Sequence, residues 1–344
     1  MRLVFFRFGA LVVMLAGVGL AQTTLHTTTT LVVVPTLVQT PGKELLYSLK
    51  ADDFVLTDNG VPQKVTLEEE TQRPLSLVVL MQTGGEARGQ FPSYANLDTM
   101  LGSLLGGAPN EVSVVNFDSR PEAASPFTSK VTEWGEAIDK PDQGDSGAAI
   151  FDSISFSLDL LKKEPVGNRR AILLISQERD DGSKTQMKDI VRDLGETNTV
   201  VYSVTFSAQK TEAKMALTHP HVNPPISNVP SDCSLKPYND PARPFQGYFK
   251  LDAPLRLIFG AMQKNLSAEV ANLSGGEAMS FDGCGELEKD LSVLNNHIRN
   301  SYILSFTPTS AAPGLHTTSV RLARHPEMVV SARSSYWAAA GDQK

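Results

Sequence analysis

Cysteine is nearly absent, with two in 344 residues. That excludes a small domain held together by a disulfide framework. A basic excess is missing too: Lys+Arg 31 stand against Asp+Glu 38, for a net charge of -7. Nothing supplies the positive footprint that neutralises phosphates, so a nucleic-acid partner is not expected. No G-x-S-x-G elbow is present. Gly84-Gly85 and Gly89 lack the spacing and the Gly-Lys-Ser/Thr ending of a phosphate loop. After residue 21 no stretch is long and apolar enough to span a bilayer. What is present is a hydrophobic content of 41% with 20% charged residues, which argues against collagen, coiled coil and wholesale disorder. The length allows one large domain or two smaller ones.

Residues 1–21, MRLVFFRFGALVVMLAGVGLA, carry Arg2 and Arg7, then an apolar run from Leu11 to Leu20 and small residues at Gly19 and Ala21. This is the pattern of a signal peptide cleaved after Ala21. Its core falls short of the roughly 20 residues a spanning helix needs. The expectation is an exported chain, in the periplasm or outside the cell, with no membrane span after cleavage. Export permits a disulfide between Cys233 and Cys284, worth a few kcal/mol at most.

The middle of the chain alternates strand and helix patterns. Leu75–Met81 is a continuous apolar run, as expected of a strand buried on both faces. Val112–Phe117, Ala171–Ser176 and Thr199–Phe206 read the same way, and Glu277–Phe281 reads as a short strand. Between them, Tyr94–Leu105, Ala149–Lys162, Lys184–Leu194, Leu255–Leu273 and Leu287–Arg299 read as helices. In the second of these, Ile150, Ile154, Leu158 and Leu161 make one apolar face. Gly275-Gly276 fits a helix C-cap. The alternation predicts an α/β, doubly wound, mostly parallel sheet.

The flanks differ. Thr30–Val38, Phe54–Thr57 and Val61–Glu68 are strand-like, and Asp58-Asn59-Gly60 is a hairpin signal. Ser301–Phe306, Thr317–Leu322 and Met328–Ala332 read as three more strands. Neither flank can bury a good core alone. The expected organisation is a signal peptide at 1–21, N-terminal strands at 22–71, an α/β domain at 72–299, C-terminal strands at 300–337 and a tail at 338–344. The two flanks are expected to form one small antiparallel β-domain into which the α/β domain is inserted. Residues 208–252 form a proline-rich insert that suits neither helix nor central strand.

The order of these parts resembles a known family. The block LVVVPTLVQTPGKELLYSLKADDFVLTDNGVPQKV is similar to the opening of the bacterial VWFA-related proteins, secreted chains carrying a von Willebrand factor A domain. Gly147–Ile154 (GAAIFDSI) and Arg169–Ser176 (RRAILLIS) match the family's next landmarks. Ser301–Pro308 and Ser331–Trp337 match its ending. The resemblance runs from about Leu31 to Trp337. It implies a von Willebrand A fold and a metal-ion-dependent adhesion site, in which an Asp-x-Ser-x-Ser loop, a Thr and a further Asp hold a divalent cation. Mg²⁺ demands hard oxygen ligands in near-octahedral geometry.

Aligned on that motif, Gln82 stands at the Asp, Gly84 at the first Ser and Glu86 at the second. Ala148 stands at the Thr, and Gln177 at the final Asp. Both motif carboxylates are replaced by amides. The expected site is therefore degenerate, with no cofactor. The alternative is a rebuilt site that binds Mg or Ca weakly through Glu86, Gln82 and Gln177, helped by Asp145, Asp180 or Asp181. Thr83, Gly85, Asp145, Ser146, Glu178, Arg179 and Asp180 are the expected binding-loop residues, because ligands of such sheets sit at the carboxyl ends of the strands.

Other constellations carry less. His219-Pro220-His221 with Cys233 and Cys284 lacks zinc-site spacing and reads as solvated loop histidines. Glu68-Glu69-Glu70 and Glu178-Arg179-Asp180-Asp181 read as exposed charge. A hydrolase with an unrecognised site is the alternative from another class, since triads are set by geometry. The expected function is non-enzymatic protein binding, with a protein partner of unknown identity and independent of cations.

Overall fold

The structure, a computed structural model, describes residues 31–68, 73–94, 97–104, 109–139, 141–207, 265–309 and 312–338. The expected signal peptide and proline-rich insert lie outside these residues, as does Cys233. The side chain of Cys284 lies outside them too, so the expected bridge is not among the features described.

In chain order the first four strands are β1 (Val32–Gln39), β2 (Phe54–Asp58), β3 (Val61–Gln63) and β4 (Thr66–Glu68). Next come β5 (Leu75–Gln82), a 3₁₀ segment (Gly85–Tyr94), α1 (Leu97–Leu104), β6 (Glu111–Phe117), β7 (Pro121–Thr128), α2 (Val131–Asp139) and α3 (Ile150–Leu161). They are followed by β8 (Arg169–Gln177), α4 (Met187–Thr197), β9 (Thr199–Phe206), α5 (Leu266–Ser274), β10 (Ala278–Ser280) and α6 (Cys284–Asn300). The described chain closes with β11 (Tyr302–Phe306), β12 (Gly314–Leu322), β13 (Val329–Ala332) and β14 (Ser335–Ala338).

The central sheet has the order β10-β9-β8-β5-β6-β7. Every neighbouring pair is parallel except β6 with β7. The chain therefore starts in the middle at β5, steps outward to β7, then crosses back to β8 on the other side. This is the strand order of a doubly wound sheet, whose ligand crevice opens between the two strands where the order reverses.

Period-two alternation builds the core. Leu77, Val79 and Met81 of β5 face one cluster with Leu97, Leu101, Trp134, Leu287 and Leu291. Val78 and Leu80 face the other, with Ile150, Ile154, Leu158, Ile190 and Val270. α1, α2 and α6 thus cover one face while α3, α4 and α5 cover the other. With helices on both sides, the strand has no solvent face, which is why its sequence is a run rather than an alternation.

Two further sheets mix strands from both ends of the chain, in the orders β13-β1-β11-β4 and β14-β12-β2-β3. Their buried side chains, among them Val34, Leu56, Leu304, Phe306 and Tyr336, meet in a third cluster. Asn59 (φ 47°) and Gly60 (φ 83°) turn β2 into β3, as the Asn-Gly signal predicts.

Three elements depart from the sequence reading. β7 carries Pro121 and Pro126, yet it is a strand at the sheet edge, where a missing N–H costs no ladder bond. α2 follows it, short and anchored by the buried Trp134. β14 is four residues long and pairs with β12.

Buried polar groups join the terminal strands to the central sheet. Arg333 is 2% exposed. Its guanidinium donates to the carbonyls of Val33 (3.1 Å), Leu194 (3.3 Å) and Thr199 (3.1 Å) and to Asn198 Oδ1 (3.3 Å). Burial pushes its pKa down to about 10, so the charge persists at neutral pH. Leu194 lies in the last turn of α4, where free carbonyls and the helix dipole favour a cation. Nearby, His297 Nδ1 lies 2.7 Å from Glu277 Oε2, and His297 Nε2 lies 3.4 Å from Gln39 Nε2 of β1. Within the terminal strands, Asp58 meets His316 Nδ1 at 2.8 Å and the hydroxyl of Tyr336 at 2.9 Å.

Candidate functional site

β5 and β8 run side by side at the reversal point and end at Gln82 and Gln177. Gln82 is fully buried. The backbone N–H of Gln177 donates to Gln82 Oε1 (2.8 Å), and Gln82 Nε2 donates to Gln177 Oε1 (3.0 Å) and to the carbonyl of Gly84 (3.0 Å). Gln177 Nε2 in turn donates to the carbonyl of Arg179 (2.8 Å). Backbone partners on both sides fix which way the Gln82 amide points. Its oxygen is occupied by a peptide N–H, and the oxygen of Gln177 by an amide N–H.

The loop after β5 is packed against the turn before α3. A Cβ placed on Gly84 would lie 2.5 Å from the carbonyl oxygen of Gly147 and 2.6 Å from Asp118 Cβ. The space where a serine side chain would begin is thus filled by backbone. Gly85 adopts φ 55° and donates its N–H to the carbonyl of Asp145 (2.8 Å). Gly144 N–H donates to the carbonyl of Thr83 (3.1 Å), and Thr83 N–H to that of Phe117 (2.7 Å). Glu86 is the second residue of the 3₁₀ segment, Gly85–Tyr94.

The carboxylates of the loops are turned onto the loops themselves. Asp145 accepts from the N–H groups of Ser119 (3.0 Å) and Gly147 (2.8 Å) and from the Ser119 hydroxyl. That hydroxyl, with the Gly147 N–H, holds the Asp145 carboxyl below the usual carboxylate range. Asp118 accepts from Arg120 N–H (2.9 Å) and Asp145 N–H (3.0 Å). Asp180 accepts from Phe151 N–H (3.0 Å) and from the Ser183 hydroxyl (2.6 Å). Asp181 and Ala148 exchange backbone hydrogen bonds of 2.8 and 3.1 Å. Ala148 is buried and offers no side-chain oxygen. Among the described residues no group of three or more His, Cys, Asp or Glu is placed to hold a metal ion.

The structure thus brings Gln82, Gly84, Gly85, Asp145, Ser146 and Gln177 together, with Ala148 and Asp180 on the adjoining turns. Glu178 sits just past Gln177, and its carbonyl accepts from Leu266 N–H (2.8 Å). Sequence reading missed Asp118 and Ser119, which tie the loop after β6 to Asp145. The signal was present, as a polar pair directly after an apolar strand.

The strand order, the antiparallel edge strand and the helices on both faces are compatible with a von Willebrand A-like fold. The chain matches no protein-family model and no curated protein. Among solved structures, it is similar to an aerotolerance-related membrane protein from Bacteroides fragilis bearing multiple mutations to serines. The identity is 15%, 64% of this chain and 98% of that chain are covered, and the TM-score is 0.37. BatB from Bacteroides thetaiotaomicron is 13% identical, with 65% of this chain and 97% of that chain covered and a TM-score of 0.37. The SpRpn10 VWA domain is 12% identical, with 42% of this chain and 82% of that one covered and a TM-score of 0.32. Likeness at this level carries no argument about activity or partner. Among the described residues no helix is long and apolar enough to cross a membrane.

Proposed function

We propose that the protein is an exported, non-enzymatic protein-binding module whose von Willebrand A-type domain works without a metal ion. The binding surface comprises the loops that follow β5, β6 and β8 and the turn before α3. The N- and C-terminal strands form one antiparallel β-domain, and the α/β domain is inserted into it at about residues 72–299.

The observation that carries this reading is the pairing of Gln82 with Gln177. A divalent cation needs several free oxygen ligands, and carboxylates among them to offset its charge. Of the five aligned positions, two are amides bound to each other, one is a glycine with no room for a side chain, one is an alanine, and Glu86 alone is a carboxylate. The residues do not fit a Mg²⁺ site. Protein binding is what the fold resemblance implies, and the rim of polar loop residues beside a rigid sheet suits it.

The test is partner capture with the chain from Gln22 onward, run in parallel with Mg²⁺ and with a chelator. A partner retained equally in both conditions supports the reading. Loss of the partner with chelator, together with loss in a Glu86→Ala variant, would return the metal to this chain. Failure to retain any partner from envelope and secreted fractions would remove the binding role.

A further inference from the structure

The sequence holds a single Asn-Gly pair, Asn59-Gly60, and it forms the turn between β2 and β3. Such a pair is reactive for a plain reason. Glycine has no side chain to shield its nitrogen, so the Gly60 nitrogen can attack the side-chain carbonyl carbon of Asn59, Cγ. Both residues are exposed, and a Cβ built on Gly60 would meet nothing within 4 Å. No neighbour blocks the reaction sterically, and water reaches it.

The structure adds a restraint. β2 pairs with β12 with Asp58 opposite Thr318. One residue further on, Asn59 N–H donates to the Thr317 carbonyl (2.9 Å). The return bond goes to the side chain: Thr317 N–H donates to Asn59 Oδ1 (2.9 Å), and the Thr317 hydroxyl donates to the same oxygen (3.1 Å). Asn59 Nδ2 lies 3.2 Å from His316 Nδ1, which is 2.8 Å from Asp58 Oδ1. The amide oxygen of the side chain thus stands in for a peptide carbonyl and prolongs the β2–β12 ladder. The main chain meanwhile turns away into β3, with φ 47° at Asn59 and 83° at Gly60. Cγ is held toward β12, and to close on the Gly60 nitrogen it must give up both Thr317 bonds.

We propose that Asn59 is a site of spontaneous deamidation, and that its pairing with Thr317 keeps the site shut while β2 and β12 are joined. In the reaction the Gly60 nitrogen gives its proton to hydroxide and bonds to Cγ. The Cγ–Nδ2 bond breaks, ammonia leaves, and a five-membered succinimide remains. Water then opens the ring at one of its two carbonyls. Attack at Cγ leaves aspartate, and attack at the main-chain carbonyl leaves isoaspartate. The balance is one water consumed and one ammonia released, with no oxidant or reductant. Isoaspartate adds a backbone atom to a two-residue turn whose length sets the β2–β3 register, so a chain modified this way no longer closes the same hairpin.

The experiment incubates the full chain at mildly alkaline pH, folded in buffer and unfolded in guanidinium chloride. Peptide mapping by mass spectrometry reads conversion at position 59. The unfolded chain should convert faster than the folded one by about tenfold or more, the scale set by hydrogen bonds that must open first. Thr317→Val keeps the shape of the side chain and removes its hydroxyl. In the folded state it should convert about threefold faster than wild type, as loss of one ordinary hydrogen bond implies, and in guanidinium the two should match. A thermal midpoint checks the variant's fold; if it does not fold, the ratio of unfolded to folded rates in the wild type decides alone. Equal rates in the two conditions, or no conversion at Asn59 in guanidinium, overturn the inference. A folded Thr317→Val chain that converts at the wild-type rate overturns the part given to the Thr317 hydroxyl.

Discussion

Gln82 and Gln177 complete each other's hydrogen bonding across the two central strands, at the point where the order of the sheet reverses. The pair is not symmetric. Gln82 serves a backbone N–H and a backbone carbonyl, whereas Gln177 donates outward to Arg179.

That asymmetry predicts unequal costs. Gln82→Ala strands the Gln177 N–H in a buried setting and should cost about 1–3 kcal/mol. Gln177→Ala leaves the backbone bonds of Gln82 intact and should cost less. Chemical denaturation of both variants checks the order, and a larger loss for Gln177→Ala would contradict it.

Restoring the motif serine should fail for steric reasons. Gly84→Ser puts a Cβ against the Gly147 carbonyl, at a spacing that backbone must move to relieve. A destabilisation of about 1–3 kcal/mol is expected, as for other overpacked sites. Mg²⁺ should not recover it in a thermal melt.

Arg333 should prove less replaceable than its place near the chain end implies. Arg333→Met removes the guanidinium donors to the Val33 and Thr199 carbonyls and to Asn198 Oδ1, while the Leu194 carbonyl keeps the Asn198 N–H and the Thr197 hydroxyl. Leaving buried acceptors unpaired should cost about 3 kcal/mol or more. Arg333→Lys, which keeps the charge without the fork, should fall between the two. Urea midpoints give the ranking.

Tyr94 offers a gain. It is 1% exposed, and its hydroxyl has no partner among the described residues. Tyr94→Phe should stabilise by about 1 kcal/mol, because an unpaired buried hydroxyl is a cost. Burial also pushes the Tyr94 and Tyr336 phenols well above their ordinary value, with the Asp58 carboxylate adding to the effect at Tyr336. A raised acid is neutral in both states below the unfolded value, so folding is unaffected there. Above about pH 10 the unfolded phenols ionise and the folded ones do not. Stability should fall by about 1.4 kcal/mol per pH unit for each of the two. Denaturation midpoints between pH 8 and 11 check this, and Tyr94→Phe should make the slope shallower by its own share, about 1.4 kcal/mol per pH unit above pH 10.

The central strands were legible because burial on both faces writes itself as an apolar run, as in Leu75–Gln82 and Thr199–Phe206. β7 was hidden by Pro121 and Pro126, whose strand compatibility depends on an edge position that sequence does not display. The 3₁₀ segment Gly85–Tyr94 carries no periodicity that separates it from a loop. At the candidate site, the substituted residues were readable position by position. That Gln82 and Gln177 bond to each other was not, since the orientation of an amide is decided by neighbours from another strand. Nor was the packing of Arg333 onto Leu194, because the polar partners of a buried cation here are carbonyls rather than carboxylates, and carbonyls leave no trace in residue types.

The pairing of β1 has a consequence for the order of synthesis. Its two sheet neighbours, β11 and β13, come from the far end of the chain. While the chain emerges, β1 is an apolar strand with both edges open, and open edges invite pairing with other chains. The central sheet can close first, since each of its strands meets partners made at or before its return crossing. β1 waits until the last residues arrive. A chain cut short before Tyr302 would therefore leave β1 without either of its sheet neighbours.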